Sequence, residues 1–375
     1  RNIFDMGAAD KVINFCKSNK IDLVVIGPEA PLAAGMADDL RAAGIKTFGA
    51  SKAGARLESS KEYSKQFMQK YNIPTAGYRS FTVLAEALEY IKNLTPPVVI
   101  KADGLAAGKG VNVCATLEDA QKTLNDFMAR TVFGESGRKV VIEEFLEGRE
   151  ASIIAFTDGE TYQTLPVSRD HKRLLDGNLG PNTGGMGVYS PVADITTQDL
   201  DFIKTNVFDN FIKGIKAEGI DYRGFIYAGI MKSPAGKINV LEFNARSGDP
   251  ETQAILPLIK NDFLEIILAC LDKKLAGVGL DFDAAASVCV ILAGKDYPQS
   301  SSKGAEITGL DKVEGALVFH AGTQIANGKI YTNGGRVLSV VAVGENIESA
   351  RQKVYAEISK INFEGMQYRR DIGVN

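Results

Sequence analysis

Apolar positions along this chain change period several times, and each change predicts an element. Residues 22–26 form a short β-rich apolar run that closes on Gly27-Pro28-Glu29; a helical stretch follows to residue 43, and residues 46–48 return to an extended pattern. This reads as a β-α-β unit. Residues 1–20 add one helix at 11–17 but no glycine-rich strand-to-helix turn, so the first domain is expected to lack a leading unit. Ser59 and Glu62 fit a capping box, after which Tyr63, Phe67 and Tyr71 recur at four-residue spacing until Pro74, and a new domain is expected to start there. A small α+β lobe follows. It comprises helices at 84–91 and 117–129, the second capped by Thr116, strands at 98–101, 111–114 and 140–145, and a hairpin over 151–165.

Residues 168–191 lack apolar periodicity and predict one long glycine-rich loop, a length that in compact domains tends to be functional. Beyond it, Leu200, Ile203, Val207, Phe211 and Ile215 mark a helix over 200–215. Strands at 225–232 and 238–243 flank the Ser233-Pro234-Ala235-Gly236 turn, and a helix is expected over 262–274. Residues 287–342 are strand-dominated, with Asn327-Gly328 and Asn333-Gly334 turns, and a helix over 348–360 ends the pattern. The expected fold is α/β and α+β in a multidomain chain divided at 1–58, 59–282 (with a small lobe at about 78–147) and 283–375.

Composition narrows the chemistry. A net charge of -3 over 375 residues removes the broad basic face that nonspecific nucleic-acid binding requires, so a phosphate ligand must be met locally. No apolar run approaches the roughly 20 residues that span a bilayer, and no signal-peptide pattern opens the chain. A cytoplasmic protein with neither nucleic acid nor membrane as partner is expected. Cys16, Cys114, Cys270 and Cys289 stand far apart and read as reduced core thiols. With His171 and His320 the only histidines, a multi-histidine zinc site is excluded; Lys, Arg, Asp, Glu and backbone donors must carry the chemistry.

Four segments can do so. GPEAPL at 27–32 lies beyond the carboxyl end of a strand, where open α/β sheets bind ligands, although an ordinary turn explains it equally well. VVIKADGLAAGKGV at 98–111 puts Lys101 at the end of a buried strand, ahead of Gly104, Gly108 and Gly110. Such a loop can close over polyphosphate, with Lys109 a second cation. It is neither a Walker A segment nor a dinucleotide fingerprint, and alone it weighs evenly against a plain hairpin loop. In EEFLEGRE at 143–150 an adenine can dock on the backbone and Glu150 can hold ribose hydroxyls, but by itself the segment fits a solvated turn better. LEFNAR at 241–246 alternates, so Glu242, Asn244 and Arg246 project from one face of a strand. Its oxygen ligands suit Mg²⁺ and its guanidinium a transferring phosphoryl or an acyl phosphate; the alternative is a polar sheet edge.

In combination these segments resemble the ATP-grasp ligases. Within them GPEAPL, VIKADGLAAGKGV, EEFLEGREAS, DHKR at 170–173, GPNTGGMGVYSP at 180–191 and GDPETQ at 248–253 are similar to the phosphoribosylamine-glycine ligase family, and YRRDIG at 368–373 carries the resemblance through nearly the whole chain. Two departures stand out: Ser247 replaces a usually bulky apolar residue, and the leading glycine-rich turn is missing.

The resemblance implies an ATP-grasp core flanked by an N-terminal Rossmann-like domain, here incomplete, and a small C-terminal β-rich domain. The implied activity is ATP-dependent ligation of glycine to 5-phosphoribosylamine through glycyl phosphate, giving glycinamide ribonucleotide, ADP and phosphate in de novo purine biosynthesis. ATP with Mg²⁺ or Mn²⁺ is implied. Lys61 and Lys101 match the phosphate-binding lysines, Gly108, Lys109 and Gly110 the loop over the nucleotide, Glu144, Phe145 and Leu146 the adenine-contacting strand, and Glu150 the ribose-binding acid. Glu242 and Asn244 match the metal ligands, with Arg246 and Lys101 the catalytic groups. Pro28, Glu29, Asp170, His171, Lys172, Gly185, Arg246, Gly248 and Asp249 are the implied substrate contacts, a structural role for His171 weighing about equally. Rival readings are another ATP-grasp activity such as a carboxylase subunit, which GDPETQ and GPNTGGMG disfavour, a noncatalytic nucleotide sensor, and a small-molecule receptor of periplasmic type.

Overall fold

The computed structural model describes residues 8–106, 110–130, 132–301 and 303–374. They divide into two compact units, one of residues 1–165, 195–247 and 262–279, the other of 166–194, 248–261 and 280–375. No helix among the described residues is long and apolar enough to cross a membrane.

The first unit holds two sheets. The larger begins with parallel strands Leu23–Val25 and Lys46–Ala50, confirming the expected β-α-β pattern. The intervening helix is broken: Gly35, at φ 100°, ends Glu29–Ala34 and starts Met36–Ala42. Lys46–Ala50 pairs antiparallel with the long strand Tyr222–Lys232, which also pairs with Ile238–Asn244 and, on its other side, with Arg149–Thr157. The smaller sheet has the order Tyr78–Phe81, Val140–Glu144, Val98–Ala102, Val111–Cys114, all antiparallel. Val98, Ile100, Ala102, Val140 and Ile142 turn one face into a core with Ala87, Ile91, Ala120 and Leu124 of helices Leu84–Ile91 and Leu117–Leu124. The alternate residues, Lys101 and Glu143 among them, therefore look away from that core.

Several expectations shift. Helix Lys52–Ser59 has no clear apolar stripe, and its presence moves the following cap by one residue: Ser60 Oγ, not Ser59, accepts the Tyr63 N–H at 3.2 Å. Glu62 is thereby freed from the capping box and pairs with Lys139 at 2.6 Å. The helices expected over 117–129 and 200–215 exist, each relaxing into a π turn, Asn125–Ala129 and Lys204–Phe208.

In the second unit a five-stranded sheet runs Leu317–His320, Arg336–Gly344, Ala286–Ala293, Gly187–Ser190, Arg169–Asp170. Residues 168–191 are thus not one loop: two strands of this sheet and the hairpin of Arg173–Leu175 with Leu179–Asn182 come from them. Gly187–Ser190 is buried at every position, which erases the alternation that would have revealed it. Helix Glu251–Ile255 packs Ala254 against Val188, Cys289, Ile291 and Val341. The Asn327-Gly328 turn, both residues at positive φ, closes the hairpin Thr323–Ala326/Lys329–Asn333 as expected, whereas Asn333-Gly334 joins two different sheets.

Candidate active site

On the open face of the smaller sheet Lys101 pairs with Val141 and Glu143 with Val99, so the lysine and the glutamate are diagonal neighbours across two strands. Lys101 Nζ lies 3.0 Å from Glu143 Oε1 and donates to the Leu241 carbonyl at 3.1 Å, which ties the sheet to strand Ile238–Asn244. The second carboxylate oxygen, Oε2, meets Lys65 Nζ at 2.9 Å. Glu143, which sequence pattern assigned to a solvated turn, is buried, as are both lysines. Burial pushes the Lys65 ammonium down to about 8, against the raising pull of Glu143.

Lys61 opens the helix Lys61–Lys70 and donates to the Gly104 carbonyl at 3.2 Å. Burial lowers its pKa, with Lys101 adding to the effect and Glu242, Asp103 and Glu58 opposing it. Asp103 anchors the turn after Lys101: its Oδ1 accepts from Ser60 Oγ and from Glu62 N, each at 3.1 Å. The start of the glycine-rich segment is therefore fixed to the helix that carries Lys61. Gly108 and Lys109 lie outside the described residues; Gly110 returns the chain to the sheet by accepting from Ala102 N at 2.8 Å.

Strand Ile238–Asn244 leaves Glu242, Asn244 and then Arg246 half-buried while Phe243 and Ala245 between them are buried, as alternation predicts. Arg246 is gripped on two sides, by Glu29 Oε2 and by Glu58 Oε1, each at 3.2 Å. Burial raises Glu58 to about 6 although Arg246 and the Ala245 N–H pull it down. The structure thus brings Glu29, expected as a substrate contact, to the guanidinium expected to be catalytic. Among the described residues no group of three or more His, Cys, Asp or Glu side chains converges as a metal cluster. Glu242 and Asn244 offer oxygen donors alone, which fits Mg²⁺ or Mn²⁺ held by one or two side chains plus nucleotide phosphates.

Of the expected adenine and ribose contacts, Glu144 accepts the Gly77 N–H at 2.8 Å, Phe145 is 40% exposed, Leu146 is half-buried and Glu150 is exposed. An exposed ring and backbone beside the Lys101 strand can receive a planar base. Lys65, Glu58 and Glu143 escaped sequence reading; the one available sign was the four-residue spacing of Lys61 and Lys65.

The other unit gathers its own motif residues. Arg336 Nη1 donates to the carbonyls of Gly184, at 2.7 Å, and Asp249, at 2.9 Å, while Nη2 meets Asp249 Oδ2 at 2.9 Å. Lys172, itself exposed, offers its carbonyl to the Thr183 N–H at 2.7 Å. A Cβ on Gly185 would sit 2.8 Å from Asp170 Oδ1 and 2.6 Å from Pro250 Cδ, so glycine is required there at φ 108°. Gly248 is likewise closed in, by the Glu251 carboxylate. His171 is buried against Tyr189, and burial lowers its imidazole to about 4, Arg369 adding to the effect. Pro28 caps the helix of Glu29 in the first unit.

Residues 2–58, 59–252 and 287–375 match the family models for the N domain, the ATP-grasp (A) domain and the C domain of phosphoribosylglycinamide synthetase. The chain is 48% identical to phosphoribosylamine-glycine ligase of Caldanaerobacter subterraneus subsp. tengcongensis, covering 97% of this chain and 87% of the relative. It is 48% identical to the trifunctional purine biosynthetic protein adenosine-3 of Gallus gallus, over 96% of this chain and 36% of that one. Among solved structures, phosphoribosylamine-glycine ligase from Thermotoga maritima superposes with a TM-score of 0.84 at 39% identity, over 95% of this chain and 88% of that one. The biotin carboxylase domain of Hydrogenobacter thermophilus 2-oxoglutarate carboxylase shares the fold, with a TM-score of 0.75 at 14% identity over 96% and 78%.

Proposed function

The chain belongs to the phosphoribosylglycinamide synthetase family, and from that premise we propose how its residues divide the work. It is an ATP-dependent carboxylate-amine ligase with an ATP-grasp core between an N-terminal and a C-terminal domain. It joins glycine to 5-phosphoribosylamine to give glycinamide ribonucleotide, ADP and phosphate in de novo purine biosynthesis. ATP and a divalent cation serve it; the all-oxygen pair Glu242 and Asn244 supports Mg²⁺ or Mn²⁺ as that cation. Domain limits at 1–58, 59–282 and 283–375 are part of this proposal, supported by family-model matches at 2–58, 59–252 and 287–375. ATP use and buried, unpaired cysteines support the cytoplasm as its location.

The observation that carries the site is the Lys101 ammonium held against the Leu241 carbonyl at 3.1 Å, one residue before Glu242. A phosphate on Lys101 and Lys61 would then face the strand of Glu242, Asn244 and Arg246. Glu144, Phe145 and Leu146 take the adenine and Glu150 the ribose. Pro28, Glu29, Asp170, His171, Lys172, Gly185, Gly248 and Asp249 are the residues proposed to contact the small substrates.

A carboxylate resists amines, so glycine is first activated: its carboxylate oxygen attacks the γ-phosphorus, the bond to the β–γ bridging oxygen breaks, and ADP leaves. The amine nitrogen of phosphoribosylamine then attacks the acyl carbon, phosphate departs with the carbon–oxygen bonding pair, and the nitrogen loses a proton to solvent. Lys61 and Lys101 offset the charge on the transferring phosphoryl group, and Arg246 offsets that on the acyl phosphate and the oxyanion formed from it. The divalent cation, when bound, neutralises the polyphosphate. Residues 104–110 exclude water from the acyl phosphate. The test is phosphate release with ATP, glycine and freshly generated phosphoribosylamine, each omitted in turn. Release only in the complete mixture is expected; equal turnover without glycine would end this reading.

A further inference from the structure

Lys65 touches none of the groups assigned above to nucleotide, metal or substrate, yet it is 2% exposed. Its ammonium joins three elements. It meets Glu143 Oε2 at 2.9 Å on the smaller sheet and donates to Thr75 Oγ1 at 2.8 Å, and that hydroxyl donates to the Val240 carbonyl at 2.7 Å on the strand of Glu242. Thus the Lys101 carbonyl partner, Leu241, and the anchor of Lys65, Val240, are consecutive residues.

One carboxylate is shared by two buried ammonium groups, so the cluster of Lys65, Glu143 and Lys101 carries one net positive charge. An ammonium has three donors. Lys101 donates one to the Leu241 carbonyl and lies in ion-pair contact with Glu143 Oε1 at 3.0 Å, which leaves donor capacity for a ligand oxygen. Were Lys65 neutral, the whole carboxylate charge would fall to Lys101; the pair would be neutral and its attraction for an anion much weaker. A purely structural ion pair would instead affect folding alone, because breaking it leaves a buried charge uncompensated.

We propose that Lys65 is a positioning residue for nucleotide binding: acting through Glu143, it fixes the Lys101 ammonium and leaves its charge uncompensated for the phosphates of ATP. The proposal rests on the assignment of Lys101 to those phosphates.

The test measures MgATP binding by calorimetry and steady-state kinetics on the full chain. Lys65→Met is expected to raise the ATP Kd and KM about tenfold or more, a loss of order one unit in log affinity, while the glycine KM moves less than about threefold. Lys65→Arg, which keeps the charge, is expected to recover binding to within about threefold. Lys65→Met with Glu143→Gln removes both members of the pair and is expected to restore most of the affinity, because Lys101 is again uncompensated; such non-additivity is the signature of a coupled network. A folded Lys65→Met that binds ATP like the wild type overturns the proposal, as does a double variant no better than the single one. If Lys65→Met alone fails to fold, the double variant, with its neutral pair, still decides: ATP affinity near wild type supports the proposal, and a loss beyond about thirtyfold in a folded protein overturns it. Lys101→Met separates the two readings. If it binds ATP normally, the assignment of Lys101 is at fault; if it loses ATP while Lys65→Met does not, only the role of Lys65 falls.

Discussion

Arg246 Nη2 lies 3.2 Å from Glu58 Oε1, and the other oxygen of that carboxylate accepts the Ala245 N–H at 2.8 Å. One side chain of helix Lys52–Ser59 therefore holds both the guanidinium and the backbone at the end of the strand that carries Glu242 and Asn244. The side chain expected to stabilise the acyl phosphate is held in place by the protein's own carboxylates, Glu29 and Glu58, which favours electrostatic stabilisation without reorganisation.

That grip should be visible in the acid limb of the rate profile. Burial raises Glu58 to about 6, so it gains a proton as the pH falls through that value and its charge no longer restrains Arg246. In the wild type kcat is expected to decline below about pH 6. Glu58→Gln is expected to lower kcat roughly tenfold at pH 7.5, in line with the loss of one charge-assisted hydrogen bond, and to abolish the limb. An unchanged limb in Glu58→Gln would assign that titration elsewhere.

Glu242→Ala and Lys101→Ala test the two sides of the nucleotide site. Each removes one preorganised charge, and kcat is expected to fall about 10²–10³-fold with the far-UV spectrum retained. Only Glu242→Ala should also raise the Mg²⁺ or Mn²⁺ concentration needed for half-maximal rate. Chelation with EDTA should stop turnover in the wild type and be reversed by either cation.

His171 sets a stability window. Its folded pKa is depressed from 6.5 to about 4 by burial, so between those values the unfolded chain binds more protons than the folded one. Stability is then full above pH 6.5 and lost as the pH falls towards 4, by about 3 kcal/mol in all. His171→Gln cannot titrate, and urea midpoints measured from pH 7 to 4 should show a correspondingly shallower decline. Equal slopes for the two proteins would count against a neutral buried imidazole.

What could be read in the sequence was whatever depended on local spacing. The alternation of Glu242, Asn244 and Arg246 on one face, Thr116 as a cap and the Asn327-Gly328 hairpin turn each rest on a few consecutive residues. Lys65 and Glu143 are 78 positions apart and Glu58 and Arg246 188, and nothing in the pattern near either member announces its partner. A buried lysine on a helix and a buried glutamate at a strand end look, one at a time, like solvated residues; only the fold pairs them. Gly187–Ser190 was hidden for a different reason, since a strand covered on both faces has no period.

Asp103 combines both kinds of information and yields the last expectation. It sits two residues after Lys101 in the KADG turn, and its carboxylate accepts from Ser60 Oγ and Glu62 N while Lys139 Nζ stands 3.8 Å away. The first residue of the glycine-rich segment, Gly104, has φ 156° and no room for a Cβ beside Ser136 Oγ, so the base of that segment is set from both sides. Losing the carboxylate removes charge-assisted hydrogen bonds worth about 1.5–3 kcal/mol from that base and leaves Lys61 and Lys101 in place. Binding should survive and closure should suffer. Asp103→Ala is accordingly expected to bind ATP within about threefold of wild type, but to release phosphate from ATP and glycine when phosphoribosylamine is omitted, as water reaches the glycyl phosphate. The measured ratio of phosphate released to glycinamide ribonucleotide formed should rise several-fold above one. A ratio that stays at one with a reduced rate would mean that Asp103 serves the fold of the lobe and not the exclusion of water.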